Sequence, residues 1–133
     1  MEPVVLDTDV ASLSLTGKLS PDLVRLVAGR LPLITFVTLA ELTRWVEQRH
    51  WGPHRRELLA TWLAGKHVLH SVDDVARTWG IITAYAYLRG RPRPTNDTWV
   101  AACCLAYDLP LATRNVKDFE DFAEHEGLTI LGR

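Results

Sequence analysis

Cysteine is nearly absent. Only Cys103 and Cys104 occur in 133 residues, side by side in an apolar stretch with helical spacing. Neighbouring side chains on a helix point in different directions, and a chain of this length buries roughly two thirds of its unfolded surface without crosslinks. A disulfide framework is therefore not needed, and the pair reads as buried thiols suited to a reducing cytoplasm. Long apolar runs are also missing, so no segment has the length of a membrane span. The N-terminus has no basic region followed by an apolar stretch, which excludes a recognisable signal peptide. Excess charge of one sign is missing too: 15 Lys and Arg against 16 Asp and Glu leave a formal net charge of −1. Composition alone gives no sign of a nucleic-acid binder. Repeats, low-complexity tracts and linkers are absent as well. One cytoplasmic domain over residues 1–133 is expected.

What is present is a regular alternation of short apolar runs and amphipathic stretches. Val4-Val5-Leu6 stops abruptly on Asp7-Thr8-Asp9 and reads as a buried strand. Ala11 to Leu15 forms a helical turn, and Ser20-Pro21 starts a helix that ends near Gly29. Leu33 to Phe36 is a second strand, and Thr38 opens a helix carrying Leu39, Leu42, Trp45 and Val46. Trp51-Gly52-Pro53 breaks it, and a further helix runs from Pro53 to Ala64. Val68 to Val72 is the third strand, followed by a long helix from Asp73 through Leu88. The two prolines of Gly90 to Pro94 impose a loop. Thr95 or Asn96 then caps a helix over Asp97 to Tyr107. Leu109 to Thr113 is the fourth strand, Val116 to Glu124 a short helix, and Leu128 to Leu131 the final strand. This pattern predicts an α/β fold: a mostly parallel five-stranded sheet with helices on both faces.

Four acids fall at element boundaries: Asp7, Glu41, Asp97 and Asp118. Each has an ordinary structural explanation. Asp7 could cap the turn after its strand. Glu41 stands three residues after Thr38 in a capping-box pattern. Asp97 could favour a helix dipole, and Asp118 could be a surface turn acid. All four, however, lie where strands end or helices begin, at the sheet edge where open α/β folds bind ligands. If the first and fourth strands are neighbours, they flank the topological switch point. Carboxylates gathered there repel one another unless a divalent cation sits among them. Oxygen ligands without a Cys or His pair select Mg²⁺ or Mn²⁺. Such ions bind phosphate oxygens and activate water, so the pattern points to phosphate-ester chemistry. His50 and His54 do not make a zinc pair, because Gly52-Pro53 interrupts the helix between them.

The segments Val5-Leu6-Asp7-Thr8-Asp9, Thr38-Leu39-Ala40-Glu41-Leu42, Asn96-Asp97-Thr98-Trp99-Val100-Ala101-Ala102 and Leu109-Pro110-Leu111-Ala112-Thr113-Arg114-Asn115-Val116-Lys117-Asp118-Phe119 occur in an order and spacing that resembles the PIN-domain ribonucleases. The likeness is greatest to the VapC-type toxins of bacterial type II toxin–antitoxin modules. It implies that Asp7, Glu41 and Asp97 hold Mg²⁺ (with Mn²⁺ as a substitute), directly or through water. The fourth position is Asp118 or Asn115, and Asp118 is preferred because only it carries charge. Asp9, Thr113 and Asn115 are implied as supporting residues. By the same resemblance the substrate is RNA, hydrolysed to a 5′-phosphate and a 3′-hydroxyl by a homodimer that a VapB-like antitoxin silences. Arg44, Arg49, Arg55, Arg91 and Arg93 are expected to contact RNA phosphates.

Two rival classes fit less well. Asp7-Thr8-Asp9 has the form of a haloacid-dehalogenase-like phosphatase motif, but Ala11 stands where that family has Thr or Val. A response-regulator receiver would use Asp73-Asp74 after the third strand, yet it leaves Asn96-Asp97 without a role. A catalytically silent PIN-like domain is the third alternative, against which all four acids are present.

Overall fold

A computed structural model describes residues 1–133. Seven helices surround a sheet of four parallel strands: β1 (Pro3–Leu6), β2 (Leu31–Thr35), β3 (His67–Leu69) and β4 (Leu111–Ala112), in the order β3-β2-β1-β4. The chain leaves β1 for β2 on one side and returns to β4 on the other. Val5 therefore pairs with Leu33 and with Leu111. Side chains alternate along β1. Val5 faces a cluster with Val100, Cys104, Phe119 and Phe122, while Val4 and Leu6 face Val10, Ala11 and Leu23. Helices α5 (Asp73–Leu88), α6 (Thr95–Ala106) and α7 (Val116–Glu126) supply the first layer, and α1 (Thr8–Leu15) and α2 (Pro21–Val27) the second. Both cysteines are buried, and burial pushes the Cys103 thiol up to about 12 and Cys104 up as well.

The sheet has four strands, not the expected five. Residues 128–131 reach β4 through a single parallel bridge, Leu111 with Ile130. Two hydrogen bonds flank it, from Leu111 N to Thr129 O and from Leu131 N to Leu111 O, both 2.9 Å. The reason lies on either side. Helix α7 runs on to Glu126 and is closed by Gly127 at φ 77°. The chain turns again at Gly132, also φ 77°, so too little extended backbone remains.

Two helix starts also move. Helix α3 (Phe36–Gln48) begins before Thr38: Thr35 is its N-cap, accepting from Thr38 N at 3.3 Å. Glu41 thus lies beyond the first turn and cannot close a capping box. Helix α6 begins at Thr95 after Pro94, with no side-chain cap, so neither Thr95 nor Asn96 caps it. Thr98 Oγ1 instead donates to Pro94 O at 2.7 Å. The expected start at Ser20-Pro21 is present, with Ser20 Oγ accepting from Leu23 N. Helix α4 (Pro53–Ala64) begins after Gly52 as expected.

Candidate active site

Asp7 is the first residue after the central strand, and its backbone N still donates to Ala112 O at 2.9 Å. Its carboxylate is almost fully buried and held by two donors. Oδ1 accepts from Thr8 N, and Oδ2 accepts from Thr113 Oγ1, each at 2.9 Å. Asp7 is thus also the N-cap of α1, so the structural and the site placement coincide. Thr113, just past β4, is fixed in turn by Asn115 N at 3.0 Å.

Glu41 reaches the same place from α3. Its Oε1 accepts from Thr8 Oγ1 at 2.8 Å, and Thr8 Oγ1 also lies 2.9 Å from Thr38 Oγ1. Thr38, expected from the sequence to be a cap, therefore belongs to the brace behind Glu41. Sequence reasoning missed Thr8, although its position directly after Asp7 at a helix start was the available signal.

Asp97, in the first turn of α6, and Asp118, in the first turn of α7, close the ring. Together with Asp7, Thr8, Asp9, Glu41, Trp45, Asn115 and Phe119 they line one cleft of about 110 Å³. Asp9 Oδ2 accepts from Asn115 Nδ2 at 3.0 Å, so these two brace each other across the cleft. Asp118 is exposed at the rim.

Electrostatically this cleft is one-sided. No Lys, Arg or His forms an ion pair with Asp7, Asp9, Glu41, Asp97 or Asp118. Burial raises the Asp7 carboxyl, against the Thr113 and Thr8 donors that lower it, and Asp9 and Glu41 raise it further. Asp97 is pushed up to about 6, first by desolvation and then by Asp7, Asp118, Glu41 and Asp9. A set of oxygen donors with no organic countercharge suits a hard divalent cation. The acids of the cleft are more widely spaced than Asp121, Glu124 and His125 on α7, whose ligand atoms lie within 4.8 Å of one another. Within that second group Asp121 is ion-paired to Arg93 and His125, while Glu124 forms no ion pair.

The five arginines expected at RNA fall into different settings. Arg44 is exposed and lines a cavity of about 290 Å³ that shares Glu41 with the acidic cleft. Arg49 stacks over Trp45, 4.5 Å from the ring centre, and Trp45 is a wall of the cleft. Arg55 lies 4.8 Å over Trp51, which is itself buried. Arg91 is exposed in the loop before α6. Arg93 is different: its side chain is 6 % exposed and bound to Asp121 at 2.7 Å and to Glu126. It also packs over the Phe122 ring. It joins the α6 approach to α7 and does not reach the cleft. Asp73 and Asp74, the pair a receiver would use, are exposed and engaged by Arg77.

A family model of the PIN domain matches residues 4–125. The chain belongs to the PIN-domain family. Among solved structures, VapBC-5 from Mycobacterium tuberculosis, a member of the VapBC family of toxin–antitoxin systems, is 32 % identical. That match covers 98 % of each chain at a TM-score of 0.72. VapBC2 from Rickettsia felis, bound to a DNA fragment from its promoter, has a TM-score of 0.80 at 18 % identity, with 96 % of each chain covered. FitAcB from Neisseria gonorrhoeae has a TM-score of 0.77 at 21 % identity, covering 96 % of this chain and 95 % of the other. These last two show likeness of fold only. No curated protein sequence matches significantly. Within the PIN family, the chain is therefore similar to the VapC type found in toxin–antitoxin complexes.

Proposed function

We propose that this PIN domain is a metal-dependent endoribonuclease and the toxin of a type II toxin–antitoxin pair. The observation that carries the reading is the unneutralised acidic cleft at the C-terminal edge of β1 and β4, which pushes Asp97 up to about 6. Asp7, Glu41, Asp97 and Asp118 would hold Mg²⁺, with Mn²⁺ as a substitute. When bound, such a cation supplies water activation near neutral pH and charge neutralisation at the phosphate. The chain's own residues supply position. Thr113 Oγ1 and Thr8 N fix both oxygens of Asp7, and Thr8 Oγ1 fixes Glu41. Asn115 holds Asp9 and, through its backbone N, Thr113. Asp118 is preferred to Asn115 as the fourth ligand, since only Asp118 brings a negative charge, and Asn115 Nδ2 bonds to Asp9 in a supporting role.

Two partners follow. The likeness to VapBC-5 supports a VapB-like antitoxin as inhibitor. Helix α5 exposes Ile81, Tyr85 and Leu88 along one stripe, which supports pairing of two copies through that helix. No helix is long and apolar enough to cross a membrane.

The test is Mg²⁺- or Mn²⁺-dependent cleavage of total cellular RNA by the purified chain. Asp7→Asn and Asp97→Asn should each lower the rate by at least the roughly 10–100-fold that losing a group merely supporting a ligand costs, with an unchanged circular-dichroism spectrum. Cleavage at the parent rate by both variants would remove the site assignment.

A further inference from the structure

The acidic cleft does not stand alone. It adjoins the cavity of about 290 Å³ that Glu41 shares and that Phe36, Trp99, Asn96 and Arg44 line. A second cavity, of about 600 Å³, has Thr113, Arg114 and Lys18 in its wall and is linked to the cleft through Thr113, whose hydroxyl bonds to Asp7. The segment after β4 forms the partition. Thr113 and Asn115 bond to Asp7 and Asp9, while Arg114 between them lines the larger cavity.

The cations of these two cavities differ from six of the other twelve Lys and Arg residues, whose charges are met by acids. Arg25, Arg30, Arg56, Arg77, Arg89 and Arg93 are all ion-paired. Arg44, Arg114 and Lys18 are exposed and form no ion pair or side-chain hydrogen bond, although acids lie close by. Free positive charge thus brackets the acidic centre on both sides. A mononucleotide needs one such flank; a strand continuing in both directions needs two. Phosphates on either side of the reacting one would otherwise meet only the repulsion of the acids. The aromatic lining, Phe36 and Trp99, is confined to the Arg44 side, which gives that flank an apolar surface for a base.

We propose that a single RNA strand crosses the cleft from one cavity to the other. Arg44 holds a phosphate on one flank, and Lys18 and Arg114 hold a phosphate on the other. The reacting bond is then internal to the strand. This rests on the ribonuclease reading and adds Lys18 and Arg114, which that reading does not use.

The test separates binding from cleavage. The full-length chain carrying Asp97→Asn is titrated against a fluorescein-labelled, random-sequence, single-stranded 12-nucleotide RNA, and anisotropy is read over a range of salt. Arg44→Gln, Lys18→Gln and Arg114→Gln should each weaken binding roughly three- to tenfold. Each should also flatten the plot of log affinity against log salt by about 0.7 for every phosphate no longer neutralised. Arg77→Gln, on the outer face of α5, should change neither. A second arm uses a 5′-phosphorylated dinucleotide, too short to reach both cavities. There, substitution on one flank should matter and substitution on the other should not. Unchanged affinity and slope in the Arg44, Lys18 and Arg114 triple variant would overturn the path while leaving the nuclease reading intact. So would normal RNA binding combined with failure to bind the cognate antitoxin, which would make the two cavities a protein-docking surface. Failure of the parent chain to bind or cut any RNA would overturn both readings.

Discussion

Two charged clusters sit toward opposite ends of α7 and are built on opposite rules. Around Arg93, opposite charges meet. Its guanidinium bonds to Asp121 and Glu126, Arg89 and His125 add to Asp121, and the Asp121 carboxyl is held below its ordinary value. Around Asp7, like charges meet, no cation enters, and the Asp7 and Asp97 carboxyls are raised. The first cluster neutralises itself and ties the loop before α6 to α7. The second is held by neutral hydroxyls and amides, which fix its geometry and leave its charge available. Groups that perturb one another without being satisfied mark functional sites. The contrast sets a cluster that neutralises itself beside one whose charge is left open.

The largest effects should break this contrast from the acidic side. Asp97→Asn should abolish cleavage and should also raise the thermal midpoint in metal-free buffer at pH 7.5. A residue that is both needed for activity and harmful to stability is expected only where charge is left unneutralised. A lowered midpoint would place Asp97 among the structural acids.

Arg93 gives the next largest effect, with the opposite signature. Arg93→Met keeps the packing over Phe122 and strands Glu126 and Asp121. Breaking a buried pair from one side costs about 3–5 kcal/mol. Asp121 retains some exposure and two other partners, so a smaller cost of about 2–3 kcal/mol is expected in urea denaturation, with RNA binding at the parent level. A selective fall in RNA affinity with stability unchanged would return Arg93 to the substrate contacts that its basic loop suggested.

That reversal shows what the sequence could and could not carry. The four acids were visible because each stands at an element boundary, and the parallel alternation placed those boundaries on one edge. The neighbouring of β1 and β4 was a condition the pattern left open, and the strand order β3-β2-β1-β4 meets it. Arg93 was not legible as a structural residue. Its partners lie 28 and 33 residues away, and α7 had to extend to Glu126 to bring the second one near. Glu41 was half legible. Its place near a helix start was right, but the cap is Thr35, and the hydroxyl it meets is Thr8, 33 positions away. The strand count failed for a related reason: β4 has only two residues, and its pairing with Ile130 depends on where Gly127 ends α7. Local chemistry marked positions, and tertiary contacts decided partners.

Acidity should sharpen the contrast by a smaller amount. Asp97 has a folded pKa of about 6 against an ordinary 3.8. Between these values the folded chain binds more protons than the unfolded one, so stability falls as pH rises through that window. Asp121 is shifted the other way, and its contribution is present above its unfolded pKa and disappears as pH falls. In metal-free buffer the Asp97 contribution should therefore decline from about pH 4 to about pH 6, and the decline should vanish in Asp97→Asn. Adding Mg²⁺ should raise the midpoint at about pH 7.5 through preferential binding to the folded state. That gain should shrink below about pH 6 as Asp97 protonates. A gain independent of pH across this range would mean that the ion binds elsewhere, with Asp121, Glu124 and His125 the first place to look.

The smallest effect concerns the hydroxyls that hold the acids in place. Thr113 Oγ1 donates to Asp7 Oδ2 and accepts from Asn115 N, so one hydroxyl links the central strand's carboxylate to the start of α7. Thr113→Val keeps shape and volume but removes both bonds. Removing a donor to a buried carboxylate and an acceptor for a backbone amide should cost about 1–2 kcal/mol. The Asp7 carboxyl should rise further, since the hydrogen bond that lowers it is gone. Cleavage should fall about tenfold, in the range seen when a group supporting a metal ligand is removed. Raised Mg²⁺ should restore much of it, because the ligands remain and only their positioning is impaired. Thr113→Ser, which restores the hydroxyl without the methyl, should recover most of the rate at ordinary Mg²⁺. If Thr113→Ser were as slow as Thr113→Val, the methyl packing of Thr113 rather than its hydrogen bond to Asp7 would be what the site requires.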